Sequence, residues 1–588
     1  MSRHNMRFSL RIGIVCFLLL FCGSGVVAIG DKEFPKDDSV ASANVSRRID
    51  ELALAVLKKK GITPSERCSD EVFIRRVFLD VIGTIPPPQQ VRGFLANKDP
   101  LKRARLIDTL LERDEFAEYW GLKWGDILRI KAEFPSNLWP NAVQAYDRWV
   151  RESLRQNKHY DQFVRELLTA SGSNFRDPPA NFYRAFQGRT PRQIADNVAL
   201  LFMGVRLDKA GLTEDQILGL SAFFAKVGYK GTDEWKEEIV FFNPAGQLTN
   251  AATGGKPVIP QTPDGRVFTL AADQDPRVAF AEWLTAPDNP WFARCIVNRV
   301  WYWLLGRGLV HEPDDMRASN PPWSPELLAY LEKELVTHHF DLKHIYRVIL
   351  NSDTYQRSSV PTDGNIGDRD GFSRYRIRRL DAEPLLDAIN QITGGGEKYT
   401  SNIPEPFTFL PDDQRAITLS DGSIESPFLE LFGRPARNTS YESERSSVPS
   451  VFQAQHLLNS SHVQKKIEKS GVLRQLVNQK KPVVAVPVKA AAGATNAIST
   501  PSRLGGDASP SSKAGTGVDV SKPIEATPVV ENAALIEELY LRILSRFPTP
   551  QEIQVANEYL KSSKRPLTDS VCDLVWALIN TAEFSLKH

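Results

Sequence analysis

Sulfur is scarce in this sequence. It has 4 methionines and 5 cysteines in 588 residues, and two of those cysteines, Cys16 and Cys22, sit in an apolar leader. The remaining three, Cys68, Cys295 and Cys572, are odd in number and widely spaced, which excludes a disulfide framework and predicts buried free thiols. No Cys-x-x-Cys-His occurs, so covalently attached c-type haem is not expected. Net charge is lacking too: 73 Lys plus Arg stand against 71 Asp plus Glu, and setting aside Arg3, Arg7 and Arg11 of the leader leaves 70 against 71. That balance carries no electrostatic footprint for nucleic acid or an anionic membrane. A Gly-x-Ser-x-Gly elbow, a phosphate-cradling glycine loop and a zinc-protease histidine pair are all missing. These absences name no catalytic residue and leave open whether the chain is an enzyme.

What is present begins with the leader. Three arginines precede the apolar run Ile12 to Cys22, and Val26-Val27-Ala28 offers small residues for cleavage after Ala28. Residues 1–28 are therefore expected to be a signal peptide, with an uncleaved anchor as the alternative, because Ile12 to Ile29 just reaches spanning length. The protein is expected to be exported to the periplasm, cell envelope or exterior, touching a membrane only if the leader is retained.

A hydrophobic content of 42% is ordinary for a globular protein and is enough to build sizeable cores. Apolar residues recur at helical offsets in "RARLIDTLLERDEFAEYWGLKWGDILRI", where Leu106, Leu110, Trp120, Trp124, Ile127 and Leu128 share a face. Four hydroxyl-proline pairs, Thr63-Pro64, Thr190-Pro191, Ser324-Pro325 and Thr549-Pro550, read as helix starts, the last with Glu552 as a capping box. The expected fold is mainly α, a multi-helix two-domain body of residues 45–235 and 273–470. Between the two domains, residues 236–272 form a turn-rich connector with a small hairpin. Residues 482–532 are Ala, Pro, Gly, Ser and Thr with few large side chains, the composition of a disordered linker. Residues 533–588 follow as a helical unit. Within it "LRILSRFPTPQEI" (541–553) aligns without gaps on "LDVIGTIPPPQQV" (79–91), matching Leu79 with Leu541, Pro86 with Pro548, Pro88 with Pro550 and Gln89 with Gln551. A real repeat would let the last unit dock back across the linker onto the body.

The phrases "IRRVFLDVIGTIPPPQQVRGFL" and "EYWGLKWGDILRIK" resemble the planctomycete cytochrome-associated domain of unknown function. The phrases "NPWFARCIVNRVWYWLLGRGLVHEPDDMRASNPPWSPELL", "RRLDAEPLLDAI" and "LFGRPARNTSYESERSSVPSVFQAQHLLN" resemble its usual companion, the planctomycete-specific domain of unknown function. The resemblance implies a thiol- and histidine-bearing stretch after a helix like "IADNVALLFMGVRL" and two cysteines after the Gly-Arg-Pro turn. This chain has no Cys or His between Val205 and Lys226, and Tyr441 and Ser443 occupy the second pair of positions. Tyrosine and serine do not replace thiolates for a soft metal or haem, so no cofactor is expected.

The stretch "FGRPARNTSYESERS" (432–446) nevertheless concentrates Arg434, Arg437, Glu442, Glu444 and Arg445. The favoured reading is bracing between helices, with Arg378 and Arg379 as co-members; the alternative is an anion or sugar site using the guanidinium fork. Asp314 and Asp315, flanked by Asn298 and Arg299, could hold a hard cation or act as acid and base, but nearby arginines favour ion pairing. His338, His339 and His344 form the densest histidine group, explained without a metal by an imidazole at a helix C-terminus, with Asp341 capping the next helix. The leading functional expectation is a binding or scaffold component of the envelope, derived from a redox-associated family. Its partners would be envelope proteins or extracellular polysaccharide. Enzymatic or binding action on sulfated polysaccharide, and an electron-transfer accessory role, are the alternatives.

Overall fold

The computed structural model describes residues 38–479 and 531–588. The leader and all but the last two residues of the tract 482–532 lie outside the described residues. The fold is mainly α, with strands confined to short pieces. No helix among the described residues is long and apolar enough to cross a membrane.

Three of the four hydroxyl-proline pairs start helices. Thr190 caps Pro191–Val198 in a capping box with Gln193, Ser324 caps Pro325–Thr337, and Thr549 caps Pro550–Ser562 with Glu552. Thr63-Pro64 does not. There the backbone is extended and pairs with a distant segment: Thr63 N donates to Gly364 O and Ser65 N to Ser373 O, and the helix begins at Asp70 behind the cap of Ser69. A proline signals that φ is fixed near its helical value, a value that extended chain also accommodates.

Two apolar cores form, and they do not divide where the composition changes. One is built mainly from residues 49–375 with Ile417 and Leu541, the other mainly from residues 380–584 with Leu79 and Ile85. The helices Phe292–Leu305, Pro325–Thr337 and Leu342–Leu350, expected in a second domain, bury against the first: Trp120 lies 5.2 Å from Trp303 and 4.5 Å from Tyr346, ring centre to ring centre. Aromatic area of this size outweighs sequence proximity in deciding partners. The connector lies on the surface of the first core. Its strand Glu238–Phe242 pairs with Val227–Gly231 as a hairpin and on its other edge with Gly172–Ser173.

The repeat at the two ends is visible in the backbone. Gly83 and Ser545, which align in sequence, both take left-handed conformations, φ 64° and 60°, between a first helix and a proline-started second. A side chain at Gly83 would meet the Tyr119 ring at 2.4 Å, so only glycine fits there. The two copies touch. Arg92 pairs with Glu537 and Glu538, while Arg75 donates to Ile543 O at 2.9 Å and Phe584 O at 2.8 Å. The C-terminal unit therefore docks on the N-terminal copy, and Leu79 and Ile85 of the first copy enter the second core.

Candidate functional site

The helix Asp114–Ile127 presents an almost wholly apolar surface to the first core, with two charged exceptions, Lys123 and Asp126, both buried. An ionised group in that position needs a partner, since desolvation alone would neutralise it. The partners of Asp126 come from the segment 432–446. Arg437 Nε donates to Asp126 Oδ1 at 3.0 Å, and its Nη1 reaches Ile130 O at 2.9 Å and Ser420 O at 2.6 Å. Its stem passes so close to Gly422 that a Cβ there would lie 2.7 Å from Arg437 Cδ. Arg445 joins two carboxylates: Nη2 is 2.7 Å from Asp126 Oδ2, and the guanidinium fork meets Glu383 at 2.6 and 3.0 Å. Burial alone would raise the Glu383 pKa, but the Arg445 charge and fork bring it below the usual carboxylate value. Burial would likewise lower that of Arg445, but Asp126 and Glu383 hold it well above its usual value.

A second cluster lies deeper. Arg299 and Asp314 are both fully buried and 3.0 Å apart, and Glu442 Oε1 lies 3.3 Å from Arg299 Nε. Glu442 also accepts from Trp303 Nε1 at 3.0 Å, and its backbone N–H donates to Asp314 Oδ2 at 2.8 Å. Burial, only partly offset by Arg299, pushes the Glu442 pKa up to about 7. Cys295, one turn before Arg299, is a buried free thiol raised to about 11 by burial; Cys68 is also a buried free thiol.

A third set surrounds Asp80, which sits 2.9 Å from Lys587 and 3.2 Å from Arg378 and accepts from the hydroxyls of Tyr355 and Tyr375, each at 2.9 Å. Asp381 pairs with Lys123 at 2.6 Å. Both carboxyls are lowered despite burial, Asp80 chiefly by Lys587 and Asp381 chiefly by Lys123.

Of the residues singled out from sequence, Arg437, Glu442 and Arg445 are brought together with buried partners. Arg434 bonds to Ile424 O, and Glu444 takes the backbone N–H groups of Asn438 at 3.0 Å and Thr439 at 2.9 Å, folding the loop on itself. Arg379 ties Phe432 O and Ser446 O. Asp314 and Asp315 part company: Asp315 turns to Arg317 at 3.3 Å. Asn298 clamps Val310 through both its backbone N–H and its carbonyl. Tyr441 stacks under Arg206, whose guanidinium lies 4.7 Å from the ring centre, so the segment after "IADNVALLFMG" does meet the Gly-Arg-Pro loop; Ser443 is exposed. Sequence reasoning missed Asp126, Lys123, Glu383, Asp381, Asp80 and Lys587. The signal for the first two was legible, being charges on the apolar face of a helix.

One surface feature stands apart. Trp139, Trp235 and Phe407 come from three separate segments and meet with ring centres 4.7, 5.0 and 5.7 Å apart. Trp235, at the hairpin tip, is 55% exposed and Phe407 37%. Lys236 Nζ lies 4.9 Å from the Trp139 ring centre. Asn137, Trp139 and Lys236 all hold left-handed backbone, φ 52°, 73° and 62°, a cost that side-chain-bearing residues bear where the surroundings impose it. These residues border a cavity of about 240 Å³ lined by Phe134, Arg184 and Ile403. Across the loop that carries Phe407 lies a second cleft of about 370 Å³, lined by Arg148, Arg151, Arg155 and Phe409.

Residues 48–220 match the family PSCyt2, a protein of unknown function (DUF1549), and residues 276–560 match PSD1, a protein of unknown function (DUF1553). The chain carries these two family regions in that order. The PSD1 region supplies Arg299, Asp314, Glu383, Arg437, Glu442 and Arg445, and the PSCyt2 region supplies Asp80, Lys123 and Asp126, so the first and third charge sets bind one family region to the other. No curated protein and no solved structure matches the chain.

Proposed function

We propose that the chain is an exported, non-catalytic binding or scaffold component of the cell envelope that carries no haem. The observation behind this reading is the fate of the charged stretch 432–446. Arg437, Glu442 and Arg445 are all engaged by protein groups in the interior, and buried networks of this kind hold geometry rather than present a reactive group to solvent. The ligand favoured by the surface is an extracellular polysaccharide bearing anionic groups. Exposed tryptophan offers a flat apolar face to a sugar ring, and Lys236 with Arg148 and Arg155 supplies positive charge along the adjoining clefts. An exposed aromatic patch bordered by polar groups is the surface signature of a binding site.

The test is a thermal-shift panel of sulfated, uronate-bearing and neutral polysaccharides, each followed by an assay for new reducing ends. A ligand at 100 times its dissociation constant adds about 2.7 kcal/mol to stability. Binding without product supports the proposal, and product formation rejects the non-catalytic role. A haem absorbance band in protein purified from its native envelope would reject the absence of haem, and recovery of the chain from the cytoplasm would reject export.

A further inference from the structure

The helix Pro325–Thr337 ends at His338, the chain reverses through His339 and Phe340, both left-handed at φ 53° and 62°, and Asp341 caps the helix Leu342–Leu350. This tight reversal lays His344 on His338, with rings 3.7 Å apart and inclined by 16°. Both rings turn to the same oxygen of Glu334, one helical turn before His338. Glu334 Oε1 lies 3.2 Å from His338 Nδ1 and 2.9 Å from His344 Nε2, and the three donor atoms all fall within 4.8 Å of one another. Glu334 and His344 are mostly buried, with side chains 12% and 13% exposed, whereas His338 is 42% exposed.

We propose that Glu334, His338 and His344 form a zinc site with its fourth position open to solvent. Zinc bound at about 2.0–2.1 Å to nitrogen and oxygen donors holds them about 3.3 Å apart in a tetrahedron, close to the two spacings measured from Glu334. Two imidazoles and one carboxylate suit zinc, copper or nickel and not calcium or magnesium, which take oxygen ligands. The mostly buried pair fixes two ligands, and the exposed His338 ring turns to direct its nitrogen at the same point, giving up its 3.0 Å contact with Glu334 O. Water fills the remaining position on the exposed side. The site lies at the end of the Pro325–Thr337 helix and on the Leu342–Leu350 helix, shares no residue with the aromatic cleft, and is independent of the proposed polysaccharide ligand.

The test is calorimetric titration of the metal-stripped full chain with zinc alone, with magnesium and calcium as comparisons, repeated for His338→Ala, His344→Ala, Glu334→Gln and His462→Ala. His462, paired with Glu397 at 2.9 Å, is the control for stray histidine binding. The expected result is one zinc per chain. Each of the three site variants should weaken binding by more than about tenfold, the lower end of what even outer partners of a metal contribute, and His462→Ala should leave it unchanged. Because His338 is half-exposed, its variant is expected to fold even if a replacement at the more buried positions does not. A matching rise in melting temperature with zinc, present in the native chain and missing in His338→Ala, is the second readout. Substoichiometric uptake, or affinity unchanged in His338→Ala, overturns the proposal; so does loss of binding in His462→Ala alone.

Discussion

Arg437 and Arg445 face Asp126 and Glu383, two cations against two anions, whereas Arg299 alone faces Asp314 and Glu442. The clusters share one loop and both of these carboxyls are buried, yet Glu383 is drawn below its usual pKa and Glu442 is driven up to about 7. Burial acts on both carboxyls in the same sense. What separates them is the supply of positive charge, so charge stoichiometry, and not depth, decides which buried carboxyl keeps its proton. The balanced cluster pairs full charges; in the unbalanced one the surplus carboxyl is shifted toward its protonated form.

Removing a cation from the balanced cluster should do the most damage. Arg445→Ala leaves the wholly buried Glu383 without a counter-ion and is expected to cost about 3–5 kcal/mol, the scale for breaking a buried pair, read from denaturant unfolding. Arg437→Ala should cost nearly as much: Asp126 keeps Arg445, but the carbonyls of Ile130 and Ser420 lose their donor. A loss under about half a kcal/mol, typical of surface changes, would show that the guanidinium is not buried as described.

The second cluster gives a smaller effect that depends on pH. The Glu442 pKa is raised in the fold, so its contribution is present below the ordinary value near 4.5, declines as pH rises, and is gone above about 7. Glu442→Gln, which is neutral at every pH, should therefore match the native chain near pH 4.5 and exceed it in stability by roughly 1–3 kcal/mol above pH 7. The sign reverses for Glu383 and Asp381. Their lowered pKa values contribute stability above the ordinary carboxylate range, and it is lost as pH falls through the folded values. Melting temperatures of Glu442→Gln and Asp381→Asn across pH 3–9, each against the native chain, should depart at the same, higher-pH end with opposite signs, Glu442→Gln melting above the native chain and Asp381→Asn below it, and both differences should shrink toward acid. A pH-independent offset in both would dissolve the distinction. Trp235→Ala, outside either cluster, is expected to cost about 1–2 kcal/mol, the worth of two half-exposed aromatic pairs, while weakening polysaccharide binding in the thermal-shift panel.

Helix content, the caps at Thr190, Ser324 and Thr549, and the end-to-end repeat could be read from sequence because each rests on local spacing. Thr63-Pro64 could not, since its partners, Gly364 and Ser373, are three hundred residues away. The charged stretch announced itself by density, and bracing between helices is its favoured reading. Its partners did not: Asp126 and Glu383 lie far from it in sequence, and only the packing of helices brings them to Arg437 and Arg445. The cores follow packing and not chain order. Composition marks where the chain turns often, while the cores follow where Trp120, Trp303 and Tyr346 meet.

The ion pair between Asp80 and Lys587 spans 507 positions, and this separation bears on how the molecule comes to be made. Asp80 leaves the ribosome early, and the lysine that neutralises it is synthesised long afterwards. Until then the carboxylate has Arg378 and the hydroxyls of Tyr355 and Tyr375 as partners, and its second counter-ion is still to come. Long-range contacts of this kind slow folding and keep a nascent chain open.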